Sequence, residues 1–477
     1  MLTLFVSAIP SPFAQQPAAG IGKIEPYIFK AANGETAEAE RGTLYVPENR
    51  TKPNSRLIEL AFIRIKSRST RPGVPTIYLV GGPGGNAIQQ VTLLFSNYSH
   101  ILQTGDLVVL DQRGTGNSKP NLKCDEKVIY PLDKPLETTE FLRLTREASD
   151  SCARSLRAKG IDLNGYNTNE NADDVDALRR ALKIEKWNLF GTSYGTHLSF
   201  AVIRRHKESL NRVVIGGVEG PDHTYKLPNQ IDRNFADIQE LVRKDPNTGK
   251  ILPNLIDTIR AISTRLEKQP VTTEILDPET KQQVKILLGK LDFQFFLATF
   301  PGRVVRIRTL PASIHAMEKG DYGELARISL AIRREALGSA MSFMMDCSSG
   351  VSPSRMKTIK KEEPGSLVGG IIDFPFPGVC APWRATDLGP AFRSPIRSSI
   401  PVLFISGALD GRTPASNVEE IRKGFPNSHH LIVENAGHVD TTMFTPKTKE
   451  LMVEFLKGKS LSIDRVPADP LAFAPLK

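Results

Sequence analysis

The sequence predicts a doubly wound α/β protein, a mostly parallel central sheet interrupted by one large, mainly helical insertion. Three observations carry this. Short apolar runs recur along the chain and several end directly in glycine-rich or polar loops, as buried parallel strands do. Helical patterns lie between several of them, the alternation that builds right-handed crossovers. The stretch 222–395 breaks this rhythm with long helical patterns followed by loops rich in Pro and Gly.

Taken in order, Gly42–Val46 and Leu57–Ile65 read as strands, the second rich in branched residues. Thr76–Val80 runs straight into Gly81-Gly82-Pro83-Gly84-Gly85, and Leu107–Leu110 into Asp111-Gln112-Arg113-Gly114. Asn171–Leu182 reads as a helix: Asn171, Asp173 and Asp174 suit a first turn, and Val175, Leu178 and Leu182 share one face. Trp187–Phe190 leads into Gly191-Thr192-Ser193-Tyr194-Gly195, with a helix over His197–His206. Val213–Ile215, Val402–Ser406 and Leu431–Val433 complete the strands, while Ile231–Val242 and Leu255–Leu266 are helical patterns within the insertion. The expected division is residues 21–221 as the first part of the core, 222–395 as a cap, and 396–477 as the second part of the core.

Apolar residues make up 40% of the 477, enough for a large core and too many for a disordered chain. No apolar run approaches the roughly 20 residues of a spanning helix, so no transmembrane segment is expected. The net charge of +10 is spread along the chain. Clusters such as Arg303, Arg306 and Arg308, or Lys357, Lys360 and Lys361, read as solvated surface; no nucleic-acid motif accompanies them. Neither metal-ligand spacing nor a nucleotide-binding glycine fingerprint is evident, so neither metal nor cofactor is expected.

Residues 1–22 carry no charged side chain, and Leu2–Ile9 is apolar, followed by Pro10, Pro12 and Ala14. This resembles a signal peptide without its basic leading region, placed over residues 1–20, and implies a secreted or periplasmic protein. The four cysteines, Cys124, Cys152, Cys347 and Cys380, contain no C-x-x-C pair. They allow three pairings. Bridges between sequence neighbours would close two loops of about 30 residues, each stabilising by roughly 2–4 kcal/mol; four unrelated buried thiols are the alternative.

Gly191-Thr192-Ser193-Tyr194-Gly195 fits G-x-S-x-G in its required strand–turn–helix context. Such a turn lifts the serine oxygen clear of the sheet and points a helix N-terminus at the site. The expected partners follow in the order acid, histidine. Asp410 comes just after the strand Val402–Ser406, and His438 just after Leu431–Val433, at the same carboxyl edge as Ser193. The long interval between Ser193 and Asp410 exceeds what one strand and its helices need, which argues for the inserted cap. Gly81–Gly85 can bring main-chain N–H groups to a developing oxyanion; the chosen donors are Gly82 and Tyr194.

Together these segments resemble the serine aminopeptidases of the α/β-hydrolase fold: the proline iminopeptidases and, more closely, the secreted tripeptidyl aminopeptidase-like group. The resemblance runs from about residue 40 to 455 through Gly81–Gly85, Asp111–Ser118, Gly191–Gly195, Pro401–Pro414 and Gly437-His438. It implies Ser193 as nucleophile, Asp410 as orienting acid and His438 as general base, with Asp111 and Arg113 tying a loop beneath the oxyanion turn. The cysteine positions also resemble the tripeptidyl group. Two positions depart from these families. Val80 stands where proline iminopeptidases usually have histidine, and Ser348 and Ser349 follow Cys347 where an acidic residue is common, while Asp346 precedes it. Asp346 is therefore the candidate anion for a substrate ammonium. The expected activity is release of residues or short peptides from peptide N-termini through an acyl-enzyme. The alternatives are a carboxylic-ester or amide hydrolase on the same triad, and an inactive binding protein on the same fold.

Overall fold

The structure is a computed structural model that describes residues 19–439 and 443–476. The expected signal segment lies outside these residues apart from its last two, and Gly20 already opens a strand. In chain order the strands are β1 (Gly20–Lys30), β2 (Thr36–Pro47), β3 (Leu57–Ile65), β4 (Thr76–Leu79), β5 (Leu107–Leu110), β6 (Lys123–Lys127) and β7 (Trp187–Thr192). They continue with β8 (Leu210–Gly216), β9 (Val271–Leu276), β10 (Gln283–Leu288), β11 (Ala336–Ser339), β12 (Val402–Gly407), β13 (Ser428–Val433) and β14 (Arg465–Val466). The central sheet runs in the order β1-β2-β3-β5-β4-β7-β8-β12-β13-β14. From β5 to β14 every pair is parallel, and the β1–β2–β3–β5 side is antiparallel.

The parallel strands β4, β5, β7 and β12 are buried on both faces and so read as near-continuous apolar runs. Successive residues alternate between two cores: Val108, Leu189 and Ile215 pack on one face, Val109, Phe190 and Val214 on the other. Helices α1 (Ala87–Leu93), α2 (Thr138–Ala158), α3 (Thr168–Ala181) and α4 (Tyr194–His206) precede the cap, which opens with α5 (Pro228–Lys244). Asn167 caps α3 by accepting from the Glu170 N–H, so this helix starts three residues before the predicted Asn171.

None of the ten central strands comes from the segment between β8 and β12. That segment supplies helices, the β9–β10 hairpin and a separate apolar cluster built on Ile231, Phe235, Ile259, Phe296 and Phe300. Leu409, next to Asp410, joins the cluster from outside the segment, and Leu132, Leu471, Phe473 and Leu476 pack against it.

Sequence patterning did not indicate β1 or α2. The outward residues of β1 include Ile21, Ile24 and Ile28, so its two faces barely differ in hydropathy. The buried stripe of α2 is built largely from small or polar residues, Thr145, Ser149, Cys152 and Ala153. Cys124 on β6 bonds Cys152 on α2, with Cα atoms 5.6 Å apart, and Cys347 bonds Cys380 at 5.5 Å.

Candidate active site

β7 is buried along its whole length and leads into Ser193, whose φ of 54° lies in the left-handed region. A non-glycine residue held there stores of order 1–3 kcal/mol of strain. Its flanking glycines are required by contact. A Cβ on Gly191 would sit 2.5 Å from Ser199 Oγ, and one on Gly195 would sit 1.9 Å from the Leu79 carbonyl oxygen. The G-x-S-x-G spacing is thus the set of residues that lets α4 start hard against β4.

Asp410 follows β12 and is fully enclosed. Its Oδ1 accepts from the backbone N–H groups of Arg412 (2.8 Å) and Thr413 (2.9 Å). Its Oδ2 accepts from the Thr413 hydroxyl at 2.7 Å and lies 2.9 Å from His438 Nδ1. Burial pushes the Asp410 carboxyl up; the His438 imidazole and the hydrogen bonds outweigh it and hold the group below its ordinary value. His438 follows β13, and its Nε2 lies 2.9 Å from Ser193 Oγ. With Nδ1–H donated to Asp410, Nε2 is left as the acceptor for the serine hydroxyl. The structure therefore brings Ser193, His438 and Asp410 into one hydrogen-bonded row.

The glycine turn lies against this row. A Cβ on Gly81 would be 2.9 Å from Ser193 Cβ, and Gly82 adopts φ +128°, open only to glycine. Gln112 donates to the Val80 carbonyl at 3.2 Å, and Asp111 accepts from the Ile88 N–H at 2.9 Å and the Asn117 N–H at 2.9 Å. Asp111 and Gln112 thus brace the turn. Arg113 does not: its guanidinium turns away to Asp174 (2.7 Å) and to the carbonyls of Glu48 and Gly165. It ties the end of β2 to α3, because two carboxylates, Asp174 and Glu170, await it there.

Asp346 stands on the helix Ala340–Ser349. This helix is fixed to α4 by His197, whose Nε2 lies 3.0 Å from Ser349 Oγ, and to the following loop by Cys347–Cys380. Burial and the neighbouring Glu219 and Asp373 carboxylates push the Asp346 carboxyl well up, with Lys226 and Arg412 opposing. The same burial raises Asp373 to about 6. Burial raises the Tyr194 phenol, on the residue after Ser193, and the Asp346 and Glu219 carboxylates add to that rise. Lys226 Nζ lies 3.4 Å from Glu219 Oε2, and its backbone N–H binds both oxygens of Asp373 at 2.8 and 3.0 Å.

Sequence reasoning missed Glu219, Asp373, Lys226 and Thr413. Glu219 had a usable signal, a carboxylate three residues past β8 on the same edge as Ser193. Asp373 had none, lying in an irregular Pro/Gly-rich stretch of the cap.

Comparison with known proteins agrees with this architecture. The family model for the alpha/beta hydrolase fold matches residues 75–267, and that for TAP-like protein matches residues 376–461. The tripeptidyl aminopeptidase of Streptomyces coelicolor is 32% identical over 444 residues, covering 85% of this chain and 78% of that protein. This chain belongs to the TAP-like family of α/β hydrolases. The tripeptidyl aminopeptidase of Streptomyces lividans matches at 32% over 85% of this chain and 79% of its own length. The proline iminopeptidase of Arabidopsis thaliana is 24% identical over 202 residues, 41% of each chain. As a member of the family the protein is a hydrolase of the serine peptidase type.

Proposed function

We propose that the protein releases short peptides from peptide N-termini through an acyl-enzyme on Ser193. The observation that carries this reading is the Ser193–His438–Asp410 row, with both links at 2.9 Å. Ser193 Oγ attacks the scissile carbonyl carbon while His438 Nε2 takes its proton. Asp410 stabilises the resulting imidazolium, and the N–H groups of Gly82 and Tyr194 receive the oxyanion. The C–N bond then breaks as Nε2 gives its proton to the departing amine. Water, activated by the same nitrogen, hydrolyses the ester on Ser193.

The carboxylates of Glu219, Asp346 and Asp373 face two cations, Lys226 and Arg412. Arg355 acts on Asp373 as a third cation. Asp346 is the anchor in this reading; among the described residues no hydrogen bond or ion pair engages its carboxylate as it does those of Glu219 and Asp373. Substrates are peptides with a free amine, and the paired cysteines support a secreted or periplasmic location. A panel of free-amine peptide amides, their N-acetylated forms and simple aryl esters tests the reading. Preference for the free amine is expected; equal turnover of both peptide forms would move the assignment to an ester or amide hydrolase.

A further inference from the structure

The cap meets the His438 loop at the turn Pro301-Gly302. Pro301 and Gly302 are both buried, between the helices Lys290–Ala298 and Val304–Ile307. The Gly302 carbonyl accepts the backbone N–H of His438 at 2.5 Å. Gly302 holds φ +85°, and a Cβ there would lie 2.6 Å from His438 Cβ and 3.3 Å from Asp410 Oδ1. The acid loop is gripped from the same side. Leu409 is part of the cap's apolar cluster, and Asn234 on α5 donates to the Leu409 carbonyl at 3.1 Å. Gly411 is flanked so closely by Asn234 and Pro301 that a Cβ would fall 2.6 and 2.8 Å from their atoms.

Both loops leave the sheet at its carboxyl edge, and each is hydrogen-bonded to a cap residue, His438 to Gly302 and Leu409 to Asn234. We propose that Gly302 and Asn234 are positioning residues: the cap sets His438 and Asp410 in register with Ser193, so the triad is aligned only while the cap is seated. This rests on reading Ser193, His438 and Asp410 as the catalytic row. A cap that only selected substrates would act on binding. A cap that places His438 acts on the chemical step of any substrate, including one too small to touch the cap, because misplacement by about 1 Å can cost 10²-fold in rate.

The test uses the full chain with an aryl acetate and a fluorophosphonate directed at serine. Gly302→Ala is compared with Gly320→Ala, a cap glycine with φ +97° and nothing within 4 Å of its added methyl group. Both changes carry the backbone cost of a left-handed alanine; only the first meets His438. The proposal expects Gly302→Ala to lower kcat for the acetate and the labelling rate at Ser193 by about tenfold or more, with KM within about twofold. Gly320→Ala should keep parent values. Equal kcat in the two variants, or a loss confined to KM, would overturn the proposal. Should Gly302→Ala fail to fold, Asn234→Ala decides: lowered kcat at unchanged KM supports the positioning role, and parent kcat refutes it. Absence of label on Ser193 in the parent enzyme would instead remove the triad reading on which the proposal stands.

Discussion

The Thr413 hydroxyl donates to Asp410 Oδ2 at 2.7 Å, the same oxygen that lies 2.9 Å from His438 Nδ1. Thr413 Oγ1 is itself only 3.0 Å from that nitrogen. The acid of the row is therefore held by a side chain three residues further on, and removing one hydroxyl tests it. Thr413→Val keeps the shape and loses one donor to a buried carboxylate. A hydrogen bond to a charged group contributes about 1.5–3 kcal/mol, so kcat should fall roughly 10- to 100-fold. Steady-state kinetics on a small ester checks this, with thermal unfolding as the control.

Ser193→Ala should abolish turnover and leave the fold intact, since Ser193 lies on the surface of the row and its strained backbone is set by its glycine neighbours. A serine-directed phosphonate should label the parent and not the variant; labelling of both would remove Ser193 as nucleophile.

Arg113 is wholly buried and faces Asp174 and Glu170. Replacing it with methionine leaves those carboxylates with Arg50 alone. Breaking a buried pair in this way costs about 3–5 kcal/mol. Denaturant unfolding of Arg113→Met should show that loss, while phosphonate labelling of the folded fraction stays near the parent rate.

Peptide mapping without reductant should recover Cys124–Cys152 and Cys347–Cys380 as linked pairs. Reduction should lower the unfolding temperature, each bridge contributing about 2–4 kcal/mol. Free thiols at these positions would contradict both the pairing and the export reading.

The placement of Ser193, Asp410 and His438 was legible in the sequence for a physical reason. Each follows a short buried strand whose composition leaves little choice of conformation, so position along the chain translates directly into position at the sheet edge. The antiparallel edge was less legible because β1 exposes isoleucines on its outward face, which blurs the alternation. Arg113 was misplaced because the Asp-Gln-Arg-Gly motif does not say which way a long side chain turns; the carboxylates of α3, far off in sequence, decide it. The cap's contribution to the acidic group was hidden for the same reason. Lys226 and Asp373 are brought together only by tertiary packing.

On the proposed reading this enzyme recognises a free amino terminus. The ratio of kcat/KM for a free-amine peptide amide to that for its N-acetylated form measures it directly, followed across pH. At pH 7 the ratio should be at least roughly 10²-fold, because a site built to pair a charge rejects an analogue lacking it. Asp373, raised to about 6 by burial, takes up a proton as the pH falls through that value and loses its negative charge. The ratio should therefore decline as the pH falls and the raised carboxyls of Asp346 and Asp373 take up protons, and Asp346→Asn should lower it at pH 7. A ratio near one in the parent enzyme, unchanged from pH 5 to 8, would contradict the account.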